Sequence, residues 1–63
     1  MNMAQITCKE LAALSDLLGV EQNLVAKYKA YACQTNDNMM KNQYEQMAQR
    51  HQRHFDELYA NLK

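Results

Sequence analysis

From Leu11 to Ala32 the apolar residues recur at intervals of three and four without losing phase. Leu11, Leu14 and Leu18 are followed by Val25, Tyr28 and Ala32, and Glu21 holds the one polar position in the row. A second row keeps the same rhythm through Met40, Tyr44, Met47, His51, His54 and Leu58. Spacings that alternate three and four average 3.5 residues, the period at which one stripe of a helix stays turned toward a neighbour packed nearly parallel or antiparallel to it. A strand would need a period of two. The chain has no proline and one glycine, Gly19, and is rich in Ala, Leu, Gln, Lys, Glu and Met, all good helix formers. The predicted class is all-α.

The rows are separated by Gln34 to Asn38, QTNDN, whose short polar side chains compete with helical hydrogen bonds and cap helix ends. This stretch predicts a turn, with Asp37 as N-cap of the second helix. At the other end Thr7 and Glu10 have capping-box spacing, and Ile6 and Leu11 stand where a hydrophobic staple would pack. The expectation is one domain over residues 1–63, with helix 1 at about 8–34, a turn at about 35–37 and helix 2 at about 38–62. A connection this short makes the helices antiparallel neighbours. The expected seam is Leu11, Leu14, Leu18, Val25 and Tyr28 against Tyr44, Met47 and Leu58. Gly19 could break helix 1 or admit another backbone, but the rhythm keeps its phase across it, which favours continuity.

Leu17, Leu24 and Tyr31 form a flanking row seven apart, and Ala48, Phe55, Tyr59 and Leu62 lie beside the second seam. This widens the apolar stripe beyond what one partner helix covers. A 63-residue chain also buries only about 60% of its unfolded surface. Together these predict a homodimer in which two hairpins complete a four-helix bundle.

Seven Lys plus Arg balance seven Asp plus Glu, so the chain lacks the basic field that nucleic-acid binding draws on. No stretch of about 18 apolar residues occurs and MNMAQITCKE lacks the pattern of an export signal, so neither a membrane nor export is expected. Cys8 and Cys33 lie 33 − 8 = 25 residues apart, about 37 Å along one helix, too far to pair within a chain. They read as reduced intracellular thiols, with an antiparallel partner as the one route by which Cys8 meets a Cys33. The tyrosines, Tyr28, Tyr31, Tyr44 and Tyr59, sit at helical spacing with no positioned base beside a nucleophile, so the expectation is a non-enzyme. The methionines read as packing residues, with Met1 and Met3 in a frayed end.

If the turn centres near residue 36, facing residues of the hairpin are symmetric about it. Ala32 then faces Met40, Tyr28 faces Tyr44, Val25 faces Met47, Glu21 faces His51, Leu18 faces His54 and Leu14 faces Leu58. Glu21 and His51 therefore meet near the middle of their helices. One reading is a charge-assisted pair that sets helix register, with no cofactor and with His54 at the edge. The other is a divalent metal site, zinc or iron, made by Glu21, His51 and His54, since histidines three apart share a helix face and a carboxylate opposite completes the set.

Three segments carry a family resemblance: TCKELAALSDLL, EQNLVAKYKAYA and AQRHQRHFDEL. The chain resembles the small spore-coat-like proteins of anaerobic spore-forming bacteria, related to the coat F family and placed with ferritin-like helical folds. The resemblance covers about residues 7–62 and implies a helical hairpin that is half of a ferritin-like bundle. It further implies a structural protein made in the cytoplasm and deposited in the spore coat beside other coat proteins. The ferritin-like pattern supplies a Glu from one helix and E-x-x-H from the next. Glu21 matches the first Glu and His54 the histidine, while His51 stands where the second Glu belongs. Two Glu21 carboxylates per dimer cannot offset two divalent ions, so the resemblance implies at most a single zinc-like ion rather than oxidative di-iron chemistry.

Overall fold

The computed structural model describes residues 6–62, which form two α-helices and, among those residues, no strand. α1 spans Cys8–Gln34 and α2 spans Asn38–Ala60. Met1 and Met3, expected in a frayed end, lie outside the described residues.

Each boundary has a local cause. The Thr7 hydroxyl accepts from the Glu10 backbone N–H at 3.1 Å while the Glu10 carboxylate accepts from the Thr7 N–H at 3.3 Å, so two donors at the start of α1 are satisfied reciprocally. α1 stops where Thr35 turns extended, its N–H still donating to the Tyr31 carbonyl at 3.1 Å. Asp37 then caps α2 by accepting from Met39 and Met40 N–H at 2.8 and 3.2 Å. α2 ends at Ala60 and residues 61–62 form a turn, shorter than the sequence expectation of about 62. There the Asn61 amide donates back to the Glu57 carbonyl at 3.2 Å, the local competition with the helix that asparagine favours. α1 runs unbroken through Gly19, and a Cβ added there would meet nothing within 4 Å.

The three-residue connection folds α2 back along α1 as an antiparallel hairpin measuring 47 × 14 × 10 Å, two helices wide and one helix thick. A slab one helix thick has no interior away from both faces. Accordingly, among the described residues, four apolar ones are buried, Leu14, Val25, Ala32 and Ala48, and no side chain is completely enclosed. Leu11, Leu18, Tyr28, Tyr44, Met47 and Leu58 line the same seam half-buried. Ala48 is buried and its neighbour Met47 only half-buried. Met40, expected opposite Ala32, is exposed.

Candidate functional site

Glu21 lies midway between residues 8 and 34 of α1, and His51 lies near the middle of α2. The hairpin brings them together across 30 residues of sequence, with His51 Nδ1 2.8 Å from Glu21 Oε2. A carboxylate oxygen only accepts, so with Glu21 ionised the ring nitrogen donates. Both side chains are largely buried, at 17% and 16% exposure, so solvent screens the contact little.

His54 joins the same oxygen. Its Nδ1 stands 3.8 Å from Glu21 Oε2, although its side chain is 49% exposed. Positional pairing along the helices sets His54 against Leu18, but the direction of the side chains decides otherwise. Side chains lean toward the N-terminus of their own helix. In an antiparallel pair Glu21 therefore leans away from the turn and His54 leans toward it, so they converge. One ligand atom from each of Glu21, His51 and His54 lies within 4.8 Å of the others.

The same lean builds the wall of the site. The ring of His51 lies parallel to that of Tyr28, 3° between planes and 5.7 Å between centroids, and meets His54 edge-on at 5.7 Å. Tyr28 packs in turn on Tyr44 at 6.2 Å, and Tyr44 on Tyr31 at 5.4 Å. Tyr28 was legible as a seam residue facing Tyr44. Its hold on the His51 ring was not, and the lean of the two side chains is the signal that would have found it. These contacts orient the His51 ring and keep water from one of its faces, which strengthens its hydrogen bond to Glu21.

The remaining seam residues expected from sequence flank this layer, with Leu11, Leu14, Leu18 and Leu58 on the side away from the turn and Val25, Tyr28, Tyr44 and Met47 on the side toward it. A shallow concavity on the outer face of α2, lined by Gln43, Gln46, Met47, Gln49, Arg50 and Arg53, includes none of the three cluster residues. Cys8 and Cys33 are exposed free thiols, and no helix of the described residues is long and apolar enough to cross a membrane. No family model matches the chain, nor does any curated protein or solved structure.

Proposed function

We propose that this chain is a non-enzymatic structural protein that self-associates by helix packing, two copies completing a four-helix bundle of the ferritin-like kind. The observation that carries the reading is the row beside the seam. Leu17 is 52% exposed and Tyr31 43% exposed, with Leu24 between them half-buried, on a slab that buries four apolar residues among those described. Apolar residues at helical spacing that one hairpin leaves exposed are a surface for a second hairpin, and a two-helix unit of this size buries so little surface that it is only marginally stable alone. A second copy is the simplest occupant, because a two-fold interface requires only that one patch match itself. The resemblance to coat proteins gives this assembly its setting: synthesis in the cytoplasm and deposition in a spore coat among other coat proteins. Analytical ultracentrifugation at micromolar concentration tests it. A dimer is expected for the natural chain, and a Leu17→Lys variant is expected to sediment as a monomer. A monomeric natural chain overturns the reading.

A second reading, a metal-binding or redox ferritin-like protein, is favoured in its metal-binding form by the convergence of Glu21, His51 and His54. Its redox form has less support, since His51 replaces a carboxylate where a di-iron site needs negative charge.

A further inference from the structure

We infer that Glu21, His51 and His54 form a mononuclear site for a divalent ion of the zinc class, in which Glu21 and His51 bind the ion in place of the hydrogen bond they make to each other. The donor set is two imidazoles and one carboxylate, a combination found in open zinc sites with a fourth position left for water or another ligand. Zinc holds such nitrogens and oxygens at about 2.0–2.2 Å in a tetrahedral arrangement, so two ligands of one ion stand roughly 3.5 Å apart. The contacts of His51 and His54 Nδ1 with Glu21 Oε2, 2.8 and 3.8 Å, lie on either side of that separation. The whole set lies within 4.8 Å, so closure requires a shift of roughly an ångström. The half-exposed His54 can make that movement by a small rotation, while His51 is held by its stack on Tyr28.

All three ligands belong to one chain, so the site does not depend on self-association. Glu21 comes from α1 and both histidines from α2, and an ion bound here ties the two helices together at mid-length. The ion binds the folded hairpin and finds no preformed site in the unfolded chain, so its binding adds directly to folding stability. The nucleophilic thiols Cys8 and Cys33 are exposed and would hold zinc on their own account, which the experiment has to remove.

Zinc is titrated into untagged, full-length protein carrying Cys8→Ser and Cys33→Ser, with calorimetry for affinity, equilibrium dialysis with elemental analysis for stoichiometry, and circular dichroism for Tm. The expected result is one ion per chain and a Tm that rises with zinc concentration. His54→Ala, at a half-exposed position and checked by circular dichroism for an intact hairpin, is expected to weaken binding at least ~10-fold, and Glu21→Gln likewise. Cobalt(II) in place of zinc is expected to give visible absorption that disappears in the same variants. Stoichiometry well below one ion per chain, or affinity unchanged in His54→Ala, overturns the site. Ultracentrifugation of the same samples separates the two proposals: a monomer that binds one ion removes the assembly and keeps the site, whereas a dimer that binds none does the reverse.

Discussion

Leu14 and Leu17 are the same residue type three positions apart on α1, yet one is 6% exposed and the other 52%. Leu14 belongs to the row turned toward α2, and Leu17 to the row beside it. The difference is not in propensity or in local structure, since both sit in mid-helix with the same backbone. It lies only in whether another helix is present on that side. The seam is therefore what the chain covers within itself, whereas Leu17, one row over, is left exposed by it.

The largest contrast is expected from truncating each in turn. Leu14→Ala should cost the hairpin about 2–3 kcal/mol in urea denaturation, as cavities at enclosed leucines do. Leu17→Ala should change the stability of the single chain by no more than about 0.5 kcal/mol while weakening association, because it removes surface that only a partner covers. Equal losses from the two under conditions where the protein is monomeric would break the comparison.

A smaller effect is expected where the seam turns polar. Glu21→Ala leaves the His51 ring nitrogen without its acceptor in a largely buried layer and should cost about 1–3 kcal/mol. Replacing Glu21 and His51 together by leucine should restore most of that loss, since an apolar pair of similar volume has no unpaired group. A double variant as unstable as the single one would mean that the layer contributes more than mutual satisfaction of two polar groups.

The smallest effect concerns a third face of α1. Alanine at Gly19 would meet nothing within the chain, so Gly19→Ala should stabilise the hairpin by about 0.5–1 kcal/mol through the lower entropy of its unfolded state. Thermal melts of dilute and concentrated protein then show whether a second backbone approaches this face. Stabilisation at both concentrations places the glycine in solvent, and stabilisation lost on concentration places it in the interface.

Much of the hairpin was legible in the residues. The 3/4 rhythm gave two helices, Thr7 with Glu10 marked where the first begins, and the cluster of Thr35, Asn36 and Asp37 marked where it ends, because capping and turn formation depend on neighbours in sequence. Reflection about residue 36 was enough to set Tyr28 near Tyr44 and Glu21 near His51. It was not enough for His54, which reaches Glu21 rather than Leu18, or for the stacking of Tyr28 on His51. Reflection compares backbone levels, whereas contacts are made by side chain ends.

The amino-acid sequence by itself determined the helices, their caps, their antiparallel order and the level at which a carboxylate meets an imidazole, since each of these depends on spacing along one chain. Only the tertiary structure decided that three ligand atoms converge on one another, that Ala48 is buried more deeply than Met47, and that Leu14 is buried while Leu17 stays exposed. Those outcomes depend on how far side chains lean across the gap between two helices and on how thick the packed layer is. Spacing along a single helix carries neither quantity.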